Sequence, residues 1–150
     1  VSGREIGGVV SPGAAANALK AEIMRKLSGL IDISAETGEV AITEAFDPYR
    51  LYAGPYLDNA PDLLIGYNAG YRVSWDCANG IVAGPVFDDN TKAWSGDHCV
   101  DPRLVPGVLF SSRPLGHPDG TDPSLIDIAP TVLRLFGIDP PGHMDGRALA

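Results

Sequence analysis

The chain has 150 residues, 45% of them apolar and 20% charged, an ordinary balance for a globular protein with one core. A net charge of −8 excludes a nonspecific binder of polymeric nucleic acid, which needs a basic face. No apolar run approaches the roughly 20 residues of a helical membrane span, so no membrane span is expected.

The first residue is Val rather than Met, and the opening lacks the basic and apolar regions of a signal peptide. The chain therefore reads as a piece of a longer polypeptide, with 1–150 as a single domain. Cys77 and Cys99 make either one disulfide in an exported protein or two free thiols in a cytoplasmic one. The simpler reading is two unpaired thiols in partly buried positions.

Ser11 and Pro12 read as the N-cap and first residue of a helix over about 12–29, with Leu19, Ile23, Leu27 and Leu30 as its apolar stripe. Residues 39–46 alternate weakly, with Val40, Ile42 and Phe46 on one side of a strand. Asp47 and Pro48 start a short helical turn carrying Tyr49 to Tyr52. Residues 62–67 form a short apolar run entering a turn, which suggests a buried strand. Tyr71, Val73 and Trp75 alternate with polar neighbours as a hairpin arm, and an excursion over about 67–95 follows into Gly-, Pro- and Asp-rich loop.

Residues 105–112 read as a buried strand, and 113–122 as a polar loop. Asp127 caps a helix whose stripe is Ile128, Val132, Leu135 and Phe136, with Gly137 as the left-handed residue after its end. Strands alternating with helices favour an α/β layered arrangement.

His98 lies in a Gly-Asp-His turn just before the apolar run 105–112. A neutral imidazole is a good zinc ligand, and such a loop can fix its direction; otherwise it is a hydrogen-bonded loop histidine. Zinc needs about four ligands, so the rest must come from elsewhere. Asp97 can orient the loop, hold metal or cap the turn. Tyr67, Tyr71, Arg72 and Trp75 form an aromatic cluster with one cation, suited either to stacking a base beside a phosphate or to packing on the core. His117 and His143 read as solvated loop residues. The stretches Asp88-Asp-Asn90 and Asp119-Gly-Thr-Asp122 lack calcium-loop spacing, so turn chemistry explains them.

Gly96-Asp97-His98, the segment 105–112, the stretch 127–141 and Met144-Asp-Gly-Arg147 occur in one order that resembles the C-terminal part of the alkaline phosphatase superfamily. The opening Gly3-Arg-Glu and the stretch 66–75 are similar to its type I phosphodiesterase and nucleotide pyrophosphatase branch. That resemblance implies the C-terminal part of a three-layer α/β sandwich with an inserted hairpin or loop excursion. It also implies a hydrolase cleaving phosphate esters with two divalent metal ions, zinc by preference, none of which need be held by this segment alone.

Only His98 carries over as a metal ligand, while Asp97, Tyr71, Arg72 and Trp75 fall beside the site. The family's nucleophile and its Asp-His pair match no motif here, so they are expected upstream and this chain should be inactive by itself. The implied partner is a small phosphate ester or nucleotide, with self-association through an exposed core face. Rival readings are a sulfatase, phosphonate hydrolase or phosphoglycerate mutase on the same scaffold, or a non-catalytic α/β binding module.

Overall fold

The structure is a computed structural model describing all residues except Glu36, Thr37, Ser95, Pro118 and Ala150. Ser95, in the approach to His98, and Pro118, in the 113–122 loop, thus lie outside the described residues. Mixed helix and strand are present, as an α/β chain requires. The residues group into two compact units, Val1–Val105 and Pro106–Ala150, where the sequence suggests one domain.

In the first unit, helix α1 spans Ala14–Leu27, with Gly13 at its N-cap and no side chain capping it. It begins two residues later than Ser11 and Pro12 suggest, because Gly13 adopts φ 78°, a left-handed value that stops the helix from extending backward. Ile23, Met24 and Leu27 are half-buried on the side that meets the sheet. Lys20, which sequence places on the wet side, is mostly buried instead. Its ammonium lies 3.2 Å from Asp47 Oδ1 and over the Tyr49 ring.

Three antiparallel strands follow, β1 (Leu30–Asp32), β2 (Glu39–Phe46) and β3 (Leu64–Tyr67), in the order β1-β2-β3. Ile42 pairs with Tyr67 and Glu44 with Gly66, so β2 uses one extra residue, Thr43, against β3. This bulge shifts the inward face by one position: Ala41, Ile42 and Ala45 are buried, whereas Val40 is exposed and Phe46 half-buried. Simple alternation could not anticipate that shift. As expected, Asp47 opens a short turn, Pro48–Arg50, by accepting the Tyr49 N–H on its carboxylate.

The expected hairpin arm is absent. Tyr71, Arg72 and Val73 lie in irregular backbone, and Trp75–Asn79 is a 3-10 turn. Ser74 begins that turn by accepting the Asp76 N–H on its hydroxyl, a local bond that competes with strand pairing. Nor does 105–112 form a strand; Val108 and Phe110 are 83% and 90% exposed. The run is apolar on alternate and adjacent positions alike, a pattern suited to a strand flanked on both faces.

In the second unit, a 3-10 turn, Leu125–Asp127, leads into α2, Ile128–Leu135. The helix ends as sequence predicts. Gly137 has φ 72°, its N–H bonds the Arg134 carbonyl and the Ile138 N–H reaches back to Leu133, a Schellman arrangement. Gly146 packs against the Leu125–Asp127 turn so closely that an added Cβ would sit 2.0 Å from the Ile126 carbonyl oxygen.

Gly66 is equally constrained in the first unit. A Cβ there would meet Asp101 Oδ2 at 2.9 Å, and Phe46 Cε2 and Thr43 Oγ1 at 3.0 Å. Gly66→Ala is therefore expected to cost about 1–3 kcal/mol by overpacking. Urea denaturation checks this; a midpoint equal to that of the parent chain would contradict the close packing.

Candidate metal-ligating loop

The loop 97–101 carries His98, and a carboxylate fixes each end. At the first end, Asp97 Oδ1 accepts the His98 N–H at 2.7 Å and the Cys99 N–H at 3.0 Å. These bonds fold the turn as an Asx motif. Asp97 Oδ2 lies 3.3 Å from Arg72 Nε, and both side chains are largely buried. The Cys99 amide, opposed by burial and aided by the His98 amide and Arg72, holds the Asp97 carboxyl below its ordinary range.

At the second end, Asp101 is closed off completely, with 1% of its surface exposed. Its N–H bonds the Tyr67 carbonyl at the end of β3, which lays the loop along the sheet. Its carboxylate accepts the Thr43 hydroxyl from the β2 bulge, the Arg103 backbone N–H at 2.9 Å, and the Arg103 guanidinium at 2.6–3.2 Å. Arg103 also bridges to Glu44 at 3.0 Å and covers the Phe46 ring. The guanidinium first, and then the Thr43 hydroxyl, hold the Asp101 carboxyl well below the usual carboxylate range despite burial.

Between these anchors the His98 side chain stands out, 97% exposed, its Nδ1 3.9 Å from Asp97 Oδ1. Cys99 and Cys77 are both free and exposed, so the thiols are unpaired as the simpler reading has it, but not partly buried. Ligand atoms of Asp97, His98 and Cys99 lie within 4.8 Å of one another. Such a group can approach a cation from one side only. Asp97 is already engaged by two amides and a guanidinium, which leaves the His98 imidazole and the Cys99 thiol as uncommitted donors. The residues present fit one edge of a metal site and do not make a two-metal centre.

The residues expected beside the loop divide into two groups. Arg72 and Trp75 join it: the guanidinium carbon lies 4.5 Å from the Trp75 ring centroid, and Nη1 donates to the Gly96 carbonyl at 3.3 Å. Tyr71 does not. Its hydroxyl donates to Asp32 Oδ2 at 3.2 Å and its ring meets Phe87 edge-on at 6.1 Å. Tyr67 sits near the loop, where burial, then Cys77, Cys99 and Asp97, raise its phenol above its ordinary value.

Asp101 is the residue that sequence reasoning missed. Asp101-Pro102 repeats the Asp47-Pro48 signature, and each opens a 3-10 turn with its carboxylate on the N–H two residues on.

In the second unit, the His117 side chain is buried rather than solvated, its Nε2 3.0 Å from Asp127 Oδ2. Asp127 does not cap α2 with its side chain. Its carboxylate instead accepts the Ser124 and Arg147 amides at 2.7 Å each. His143 is exposed, as expected. Asp119 accepts the Thr121 amide and hydroxyl and pairs with Arg147, while Asn90 accepts the Lys92 amide and donates to the Trp94 carbonyl, so Asp119 and Asn90 each make local turn bonds.

Among the described residues no helix is long and apolar enough to cross a membrane. Compared with known proteins, the chain matches no protein-family model, no curated protein and no solved structure. The functional reading rests on its own residues.

Asp97, Asp101 and Asp127 are all held below the ordinary carboxylate range, so folding favours their ionised forms. The stability they contribute is present above the unfolded value, about 4, and is lost as pH falls through the lower folded values. Urea midpoints are expected to fall from about pH 5 downward, and Asp101→Asn to flatten that fall while lowering stability near neutrality by about 1–3 kcal/mol. An acid limb unchanged by the substitution would contradict the role given to Asp101.

Proposed function

We propose that this chain is the C-terminal part of a two-metal hydrolase of phosphate esters, of the phosphodiesterase and nucleotide pyrophosphatase kind, and that His98 is one of its metal ligands. The observation that carries this reading is the presentation of His98. A loop anchored at both ends by buried or half-buried carboxylates holds an imidazole almost wholly in solvent, its Nδ1 3.9 Å from Asp97 Oδ1. Loop order of this kind suits a ligand whose remaining companions come from other segments.

The preferred metal is zinc, which accepts neutral imidazole and leaves room for carboxylate ligands. His98 would help hold such an ion, whose chemistry when bound would be to lower the pKa of a Ser or Thr nucleophile and to offset charge on the leaving oxygen. This chain's part is to hold His98 Nδ1 or Nε2 at a fixed place and to close the scaffold around it.

A second observation supports incompleteness. Among the described residues the buried apolar side chains are Ala41, Ile42, Ala45 and Leu149, with Pro48 and Pro130. That is a thin core for a chain of this length. Meanwhile Val108, Phe110, Leu125 and Phe136 of the second unit are between 79% and 90% exposed. Apolar residues so patterned belong against further strands or helices, as in the layered sandwich that the sequence suggests.

Elemental analysis of the longer protein tests the reading. Two divalent metals per molecule are expected, with His98→Ala lowering affinity for at least one by about 10-fold or more. Full metal content and full phosphodiesterase activity in the His98→Ala protein would refute it.

Isolated, the chain is expected to self-associate through its uncovered apolar surface. Sedimentation velocity across a range of concentrations should show species above 15.7 kDa. A single monomeric boundary at high concentration would contradict this expectation.

A further inference from the structure

Arg72 is placed where a substrate-binding cation would be sought, beside the Trp75 ring and a candidate metal ligand. Its contacts say otherwise. The side chain is only 14% exposed, and its guanidinium lies on the Trp75 face with its centre 4.5 Å from the ring centroid. Nε lies 3.3 Å from Asp97 Oδ2, and Nη1 donates to the Gly96 carbonyl at 3.3 Å. One flat cation thus fastens the Trp75–Asn79 turn to the backbone and side chain just before His98. The Nε–H also donates to the Val73 carbonyl at 3.4 Å, so two of its nitrogens are held by the protein's own backbone.

Asp97 in turn has two distinct tasks for its two oxygens. Oδ1 gathers the His98 and Cys99 amides, and Oδ2 faces Arg72. Without a cation at Oδ2, a carboxylate this sequestered would be drawn toward solvent or toward the metal, and the turn would lose the acceptor that shapes it.

We infer that Arg72, stacked on Trp75, is a positioning residue for the metal site: it fixes Asp97 as the organiser of the turn and keeps it out of the coordination sphere, so that His98 is presented as the ligand. This rests on the proposed function above. It assigns Arg72 and Asp97 a role in loop geometry rather than in contact with substrate or metal. Lysine cannot replace arginine here, because a point charge cannot serve a stacked ring, a carboxylate and a carbonyl from one plane.

The test uses the longer protein, free Zn²⁺ and four variants: Arg72→Met, Arg72→Lys, Asp97→Asn and His98→Ala. Amide exchange at His98 and Cys99 reports the turn without metal. Zn²⁺ titration, followed at the His98 imidazole resonances or by calorimetry for His98→Ala, reports the ligand. Arg72→Met is expected to speed exchange at those two amides by at least about 10-fold and to weaken Zn²⁺ binding about 10- to 100-fold, with the melting temperature little changed. Arg72→Lys should recover only part of either loss, and Asp97→Asn should resemble Arg72→Met.

Unchanged exchange and Zn²⁺ affinity in Arg72→Met would overturn the assignment. So would faster exchange spread over the whole sheet with a lowered melting temperature, which marks a merely structural residue. Zn²⁺ binding that His98→Ala leaves intact would overturn the metal reading itself, and with it the purpose given to Arg72, whatever the exchange data show about the clamp. Tighter Zn²⁺ binding in Arg72→Met, with Asp97 newly engaged, would show that Arg72 does not serve presentation of His98.

Discussion

The first unit depends on a carboxylate shut away from water. Asp101 sits beside Gly66 where the β2 bulge, the end of β3 and the loop carrying His98 converge, and each supplies it with a contact. A buried anion is tolerable only when its charge is met and its lone pairs are filled. Arg103 meets the charge; Thr43 and the Arg103 amide fill the remaining positions. The demand runs backward into the sequence. Position 66 must be glycine for Asp101 Oδ2 to fit, and β2 must bulge at Thr43 for a hydroxyl to face it.

The second unit solves a similar problem with different parts. Asp127 collects amides from Ser124 and Arg147 and faces the His117 ring, tying the approach to α2, the helix start and the following tail together. Thr131 extends the same knot: its hydroxyl donates to the Asp127 carbonyl and accepts the Leu149 amide. In a chain with so few buried apolar side chains, these carboxylate knots take over part of the ordering that a larger core would supply. The acidic composition is thus put to structural use, since anionic acceptors organise neighbouring backbone donors.

The parts of the fold legible in the sequence were those governed by local rules. Helical spacing located α1, the Asp-Pro pair located the turn at 47, and Gly137 marked the end of α2. The parts that were not legible depend on partners far along the chain. Asp101 and Asp127 look like any turn aspartate until the residues 58 positions before the one and 20 positions after the other are folded against them. His117 likewise reads as a loop residue until Asp127 reaches it. The stretches at 71–75 and 105–112 show the opposite error. Their apolar spacing satisfies the requirement of a strand face, but a strand also needs a neighbouring edge to bond, and local pattern cannot supply one.

Of the candidate site, the sequence located the loop and its histidine but could not divide the labour within it. Asp97, His98 and Cys99 are three consecutive potential ligands, and spacing alone treats them alike. Their surroundings separate them. Asp97 is engaged by two amides and an arginine, so its carboxylate is already organised around the protein's own donors. His98 has no such engagement, and its imidazole lies in solvent. A flexible exposed histidine would lose conformational entropy on binding a metal; one whose flanking backbone is fixed at Asp97 and Asp101 has already lost part of it during folding. The anchoring of the loop and the exposure of its histidine are therefore two sides of one arrangement: the fixed backbone limits where the exposed imidazole can reach.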